Sequence, residues 1–364
     1  MGTLLQERGL TAGETPEDWN VERPDDIAAI HRAYVEAGAG SIYANTFGAN
    51  RLKYHGKHSL EEVIRAGLAV AAKSKCEVEG EQWNVKIALD LGPTGKLLKP
   101  AGDLDFDDAV AAFAETIRVA LGSNRVRANN PKDPIDTQDS KDPISPDLIV
   151  IETMGDVREL KAAVIAAKEM CDLPVYATVA LGADGKLLTG GSVECVAALL
   201  ESLGVDAYGF NCGLGPDKML PFVERLAKVS TKPIIVKPNA GLPKIEDGRT
   251  VFTVGPDEFA GHVAKLVEAG ASIVGGCCGT TPEHIEQVKS KVKSEGEQRN
   301  VEDSTVRLRA STSTTRVSSG TSVVTLSPHE GLIIGERINP TGKKLLKEAY
   351  AKGDTAYVLR EAVK

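Results

Sequence analysis

Residues 207–239 read AYGFNCGLGPDKMLPFVERLAKVSTKPIIVKPN and contain one complete strand–helix–strand unit. Its two ends, AYGFNC (207–212) and PIIVKPN (233–239), are short apolar runs that finish on polar residues. Parallel strands covered on both faces look like this, because neither face turns to water. Between them, Pro216 stands where a first helical turn tolerates proline, and apolar residues recur at helical spacing to about residue 229.

Outward from this unit the same alternation runs from residue 25 to about 293. Further strands are expected in SIYANTF (41–47), VKIALDLG (85–92), DLIVIET (147–153), PVYATVA (174–180) and SIVGGCC (272–278). Helices are expected near 25–37, 59–79, 107–121, 156–171, 192–203, 216–229, 256–269 and 282–293. Ser59 with Glu62 three residues on is a capping box, Asp107 and Ser192 are the expected leads of their helices, and Pro256 and Pro282 repeat the placement of Pro216. Repeated strand–helix units with short connections define an α/β fold. Polar groups close nearly every strand, which favours a (β/α)8 TIM barrel over an open doubly wound sheet, since a barrel gathers its active groups at one mouth. The series opens on a helix and pairs eight helices with seven strands. The expectation is therefore a barrel lacking most of its first strand, with MGT as the turn leaving it.

Composition sets the outer limits. A chain of 364 residues with 42% hydrophobic content can bury a sizeable core, and its aromatic share of 4% suits small residues packed between helices and strands. A formal charge of −8 argues against nucleic acid, which requires clustered Lys and Arg. No apolar stretch is long enough to span a bilayer, and MGTLLQERGL lacks the blocks of a signal peptide. Six cysteines, two of them adjacent, do not form a disulfide scaffold at this length, so a reducing, cytoplasmic setting is expected.

The barrel is expected over 1–297, interrupted by a polar, proline-bearing surface insertion at 122–146. Residues 298–330 turn charged and then rich in Ser and Thr, the composition of a linker. GLIIGERINPTGKKLLKEAY (331–350) then reads as a strand, a turn and a helix, so 331–364 is expected to be the incomplete start of a second barrel.

Taken in order, the strand ends supply Asn45, Asp90, Glu152, Asn211 with Cys212, Asn239, and Cys277 with Cys278. Three cysteines thus converge on one mouth although about 65 residues separate the first from the pair. Adjacent cysteines on a regular strand point to opposite faces, but Gly275, Gly276 and Gly279 let the backbone leave strand geometry and turn both sulfurs inward. Three thiolates suit zinc, and three protein ligands leave one tetrahedral position open, which marks a catalytic site. Three cysteinates give the site a net charge of −1, so a fourth, substrate thiolate stays nucleophilic and suits attack on an electrophilic methyl group. A bare cysteine pair is more often packing; the pair together with GFNCG at another strand end favours the metal. Cys76, Cys171 and Cys195 fall on helices and are expected to be ordinary buried or half-buried thiols, and all six histidines lie away from strand ends. GPTGK (92–96) lacks the full spacing of a phosphate loop and reads as a plain strand-to-helix turn.

GFNCG, KPNAGLP (237–243) and GGCCGTTPEHI (275–285) together resemble the homocysteine S-methyltransferase family, and ANTFGANRLK (44–53) and IETMGD (151–156) match its other strand ends. The resemblance covers about residues 1–297. It implies a (β/α)8 barrel with zinc on Cys212, Cys277 and Cys278, Asn239 filling the fourth position until homocysteine displaces it, and Glu152 holding the substrate amino group. Asn45, Asp90 and Asn211 are the remaining candidates for substrate contact. IGERINPTGKK (334–344) is similar to the opening of the pterin-binding barrel that follows in cobalamin-dependent members. That implies methylcobalamin as methyl donor, carried by another module or protein, with methyltetrahydrofolate engaged only in a full-length protein. A sulfonium or betaine donor, and an inactive zinc-binding fragment, are the alternatives. The family's first strand carries an Asp-Gly before Met-Gly-Thr that also reaches the substrate amine; this sequence opens after it.

Overall fold

The computed structural model describes residues 1–11, 13–78, 84–122, 144–246, 249–297, 315–318, 321, 323–326 and 344–358. They divide into two compact units, 1–312 with 317–324, and 313–316 with 325–364.

Seven strands form one all-parallel sheet: β1 (Ser41–Tyr43), β2 (Lys86–Leu91), β3 (Leu148–Met154), β4 (Val175–Val179), β5 (Ala207–Asn211), β6 (Ile234–Lys237) and β9 (Ala271–Val274). Their order in the sheet is their order in the chain. A doubly wound sheet reverses direction at a switch point; this one never does, which is the winding of a barrel. Curling is visible in side chains, because Tyr43 of β1 and Lys237 of β6 meet across the inside at 2.9 Å. Among the described residues β1 and β9 are the edge strands and do not pair.

All seven expected strands are present, and the eight expected helices appear as α3 (Pro24–Glu36), α4 (Leu60–Val78), α5 (Phe106–Leu121), α6 (Val157–Met170), α7 (Val193–Ser202), α8 (Pro216–Ala227), α9 (Pro256–Glu268) and α10 (Pro282–Glu297). The capping box holds: Ser59 N–H donates to Glu62 at 2.9 Å, and Glu62 N–H to the Ser59 hydroxyl at 3.2 Å. Ser192 caps α7 by accepting from Cys195 N–H. Asp107 does not lead its helix, since α5 begins at Phe106 behind Asp105. The ring of helices closes where Tyr34 of α3 donates to the Thr280 carbonyl before α10, at 3.0 Å. One main core fills the space between strands and helices, built on residues such as Ile64, Phe113, Ile149, Val196, Phe210 and Phe259. A smaller cluster of Ala88, Leu148, Val150, Tyr43 and Tyr176 lies on the opposite face of the strands, inside the curl.

Three expectations need correction. MGT is not a turn: Gly2–Glu7 is a helix (α1), held by burial of Leu5 among Trp19, Ile27 and Ile30 and followed by a 3-10 turn (Pro16–Asp18) and α2 (Trp19–Glu22). A six-residue helix cannot stand on its own propensity, so tertiary burial decides it. Second, β7 (Lys244–Glu246) and β8 (Arg249–Val251) form an antiparallel hairpin between β6 and α9. Third, the stretch read as linker contains β10 (Thr315–Ser318) and β11 (Val323–Leu326), paired in a two-stranded sheet. Its Thr and Val residues are β-branched strand formers, a local preference that the Ser/Thr richness concealed.

Residues 123–143 of the expected insertion, and 331–343 with the expected second-barrel strand, lie outside the described residues. The helix expected after them is α11 (Lys344–Lys352). No described helix is long and apolar enough to cross a membrane.

Candidate metal and thiol site

Parallel strands in chain order bring their C-terminal ends to one mouth, and there Cys212, Cys277 and Cys278 meet. Their sulfurs all lie within 4.8 Å of one another. Cys212 Sγ is 3.9 Å from Cys278 Sγ, and Cys277 Sγ is 4.0 Å from Cys278 Sγ. Sulfurs at the corners of a zinc tetrahedron with ~2.3 Å bonds stand about 3.8 Å apart, so the trio fits the ion in spacing as well as in donor chemistry.

Backbone conformation aims these sulfurs. Cys212 has φ 58° and Gly213 φ 73°, so two successive left-handed residues turn the chain at the end of β5. The cysteine pair follows the end of β9, and Gly279 beyond it has φ 78°, where an added Cβ would lie 2.2 Å from Phe252 Cγ. A Cβ on Gly276 would meet Thr280 at 2.4 Å, whereas one on Gly275 would make only ordinary contact with Lys237. Gly276 and Gly279 are thus required by the turn, and Gly275 is not. Main-chain bonds then tie the three segments together: Cys212 N–H to the Lys237 carbonyl at 3.1 Å, Cys277 N–H to Pro238 at 2.9 Å, and Ala240 N–H to Cys278 at 2.9 Å.

The thiols share protons unequally. Hydrogen bonds from Cys277 and then Cys278 hold Cys212 below an ordinary thiol, and the contact with Cys212 pushes both Cys277 and Cys278 up.

Asn239 accepts from Cys278 N–H at 3.1 Å through Oδ1, which keeps a second lone pair for another partner. Asn211 is fully buried and spends its amide within the chain. Its Oδ1 accepts from Thr153 N–H and the Thr178 hydroxyl, both at 2.8 Å. Its Nδ2 donates to Thr153 Oγ1 at 2.7 Å and approaches Cys277 Sγ at 3.8 Å. Asn211 thereby positions the sulfur and the end of β3, and its amide has no group left over for a substrate. Asn45 spends its Nδ2 within the chain, donating to the Pro16 carbonyl at 2.7 Å and to Asn20 Oδ1 at 3.0 Å. These bonds have one cause, since a strand-end polar group serves the scaffold when a neighbouring loop or strand needs a partner.

Glu152 and Asp90 do face the interior. At Thr153 the β3–β4 register shifts and φ reaches 61°, a bulge that re-aims Glu152. Its carboxylate forms a short ion pair with Lys237 Nζ, with side-chain exposures of 13% and 9%. Burial pushes the Lys237 ammonium down, yet Glu152 and Tyr43 outweigh it and hold Lys237 above an ordinary lysine. Burial, and then the Glu152 charge, push Asp90 well above the usual carboxylate range, while Lys237 pulls it partly back. Asp90 Oδ1 is buried without a hydrogen-bond partner.

Lys237, Tyr43, Thr153 and Thr178 escaped the sequence reading. A lysine two residues before Asn239 reads as a strand end turning to solvent, and its partner Glu152 is 85 positions away in the chain. GPTGK behaves as expected. Thr94 N–H donates to the Glu159 carboxylate at 2.7 Å, so the loop already holds an anion of the chain's own. Cys171 and Cys195 are buried, but Cys76 is exposed, against expectation.

A curled, sequentially wound parallel sheet thus gathers three cysteine sulfurs that could hold a metal ion at its strand ends, with buried carboxylates inside the curl, the arrangement of a barrel-type α/β fold with one candidate metal site. The homocysteine S-methyltransferase family matches residues 1–292, and the chain belongs to that family. It is accordingly a methyltransferase. It is 32% identical, over 374 aligned positions, to a methionine synthase from Mycobacterium leprae (strain TN), covering 97% of this chain and 28% of the relative. A Mycobacterium tuberculosis methionine synthase aligns over 373 positions at the same identity and coverage. The chain thus spans about 28% of the length of these relatives. In fold it resembles the Escherichia coli homocysteine methyltransferase MmuM: the metallated form superposes with a TM-score of 0.61 at 20% identity, covering 80% of this chain and 93% of that one. The oxidized form gives a TM-score of 0.63.

Proposed function

We propose that this chain performs the homocysteine half-reaction of a cobalamin-dependent methionine synthase: it binds homocysteine, and the substrate sulfur takes a methyl group to give methionine. The observation that carries the reading is the sulfur trio, all three half-buried and within 4.8 Å of one another. Cys212, Cys277 and Cys278 would hold zinc, with Asn239 in reach as a fourth donor. Bound there, zinc would supply a thiol's deprotonation at neutral pH while leaving its sulfur nucleophilic, since three cysteinates already make the site anionic.

The chain's own residues do the rest. Asn211 orients Cys277, the Thr153 bulge aims Glu152 inward, and Lys237 fixes that carboxylate. The buried acids near the sulfurs suit the substrate's ammonium group. The methyl donor in this reading is methylcobalamin, carried by a cobalamin-binding module or protein. Residues 298–330, with the β10–β11 pair within them, would then connect the barrel to 331–364, the opening of a pterin-binding barrel that engages methyltetrahydrofolate only in a longer protein. Six cysteines free of disulfides suit the reducing cytoplasm.

The test is methionine formation from homocysteine with methylcobalamin or S-methylmethionine as donor, alongside Cys277→Ser. The reading expects faster turnover with methylcobalamin, and loss of zinc together with turnover in the variant. Turnover retained by Cys277→Ser would overturn it, and preference for S-methylmethionine would reassign the donor.

A further inference from the structure

The loop that carries Cys277 and Cys278 runs straight into α10, and His284 stands buried in the first turn of that helix. Each of its ring nitrogens has a partner. Nδ1 lies 3.1 Å from Thr281 N–H and 2.9 Å from the Thr281 hydroxyl, and Nε2 lies 3.1 Å from the Val254 carbonyl. A backbone N–H only donates and a carbonyl only accepts, so Nδ1 accepts and Nε2 carries the proton. The bond at Nδ1 is local: it is the reach-back half of a capping box, with histidine where Glu or Gln is usual. A helix cap has no need of the bond at Nε2, which crosses 30 positions to the segment between β8 and α9.

That second bond completes a circuit. Val254 N–H donates to the Ala240 carbonyl at 3.1 Å, and Ala240 N–H donates to the Cys278 carbonyl at 2.9 Å. The chain itself then leads from Cys278 back to His284. Asn239, next to Ala240, accepts from Cys278 N–H, so one turn holds both main-chain polar groups of Cys278. Phe259 meets the His284 ring edge-on at 5.3 Å, which fixes the ring in place. Outside support of this kind is needed, because the cysteine pair is flanked by glycines whose backbone holds no conformation of its own.

We infer that His284 is a positioning residue for the metal-holding loop: through its Nε2–H bond to Val254 it locks the Asn239–Ala240 turn against Cys278 and so holds that sulfur at its corner of the zinc site. The inference rests on the zinc-holding part of the proposed function and deepens it, since it names what keeps the ligands in register from outside the ligand set. Removing a group that orients a metal ligand commonly costs about 10- to 100-fold in metal affinity. His284 acts from the far end of a chain of bonds, so the lower end of that range is expected.

The experiment times zinc release from the loaded chain to an excess of a chromophoric chelator, and records the absorption spectrum of the cobalt(II)-substituted chain, for the parent, His284→Asn and His284→Gln. Asn places its amide where Nδ1 stood and can serve Thr281 but not Val254. Gln extends its amide to where Nε2 stood and can still donate to Val254. Release should be about tenfold faster in His284→Asn, with an altered cobalt spectrum, and within about threefold of the parent in His284→Gln, with the parent's spectrum. If His284 only caps α10 or fills the core, both variants will melt lower while release and spectrum stay unchanged, or shift alike in the two. Either result would overturn the inference and leave the functional reading intact. Should His284→Asn not melt cooperatively, Gly241→Ala decides: its added Cβ would stand 2.8 Å from Val254 Cγ2 and strain the same circuit from the other side, so release at the parent's rate would overturn the inference. A parent chain that melts cooperatively and takes up no zinc would overturn the functional reading, and this inference with it.

Discussion

Asn211→Ala is expected to unfold the mouth of the barrel more than any solvent-facing change could. The native amide is fully buried and serves four partners: Thr153 N–H, Thr153 Oγ1, the Thr178 hydroxyl and Cys277 Sγ. Truncation leaves Thr153 N–H without an acceptor, at about 1–3 kcal/mol. The Thr178 hydroxyl, itself fully buried, loses its acceptor as well, adding about 1 kcal/mol if it rotates and more if it cannot. Part of the loss returns if Thr153 relaxes from its left-handed conformation, which costs roughly 1–3 kcal/mol to hold. The void left by the amide offsets some of that relief. The sum is about 3 kcal/mol, a large share of the ~5–15 kcal/mol that keeps a domain folded. Urea unfolding followed by circular dichroism should show the midpoint falling at unchanged slope. A loss under about 1 kcal/mol would refute the reasoning, because it would mean the Thr153 bulge and Cys277 do not depend on this amide.

Three further changes probe separate parts of the account. Thr153→Gly should alter stability by less than about 1 kcal/mol, since relief of the left-handed strain balances the lost bond from Asn211 Nδ2; the same melts report it. Gly279→Ala should cost on the order of 2–4 kcal/mol and lower zinc content, because the new Cβ at φ 78° lands on Phe252 beside Cys278. Glu194→Gln should cost under about 1 kcal/mol at pH 7, and the cost should fade as the pH drops. Burial raises the Glu194 pKa, but the two-pronged hydrogen bond from Arg225, at 3.0 and 2.9 Å, outweighs it and holds the group below an ordinary glutamate. A depressed carboxylate stabilises the fold above its unfolded pKa of about 4.3 and ceases to do so as the pH falls through its folded value. Parent and variant melts should therefore converge below pH 4.

The strands and helices were legible because a parallel sheet buried on both faces leaves uninterrupted apolar runs, and winding in chain order puts every strand end at one mouth. That geometry alone joined Cys212 to Cys277 and Cys278 across the chain, and it placed Asp90 and Glu152 beside them. It could not assign roles within the mouth. Asn45 and Asn211 have the residue type and position of substrate ligands, but Pro16 and Asn20 take the Nδ2 of Asn45, and Thr153 and Thr178 take the amide of Asn211. Those partners come from loops and neighbouring strands whose approach no local pattern encodes. Lys237 was hidden for a similar reason, since a lysine is read as solvated unless its acid is known. The β7–β8 hairpin did leave a signal, the Asp-Gly pair at 247–248 between KIE and RTV, a strong turn dipeptide. Helix α1 left none, for its six residues fold on Leu5 finding Trp19 and Ile30.

The most direct test is zinc per purified chain by elemental analysis, with Cys212→Ser and Cys277→Ser as controls and a thermal melt on each. The account predicts about one zinc in the parent and little in either variant, because each change removes one corner of the tetrahedron. A parent chain that melts cooperatively and holds no zinc, or variants that hold as much as the parent, would contradict it.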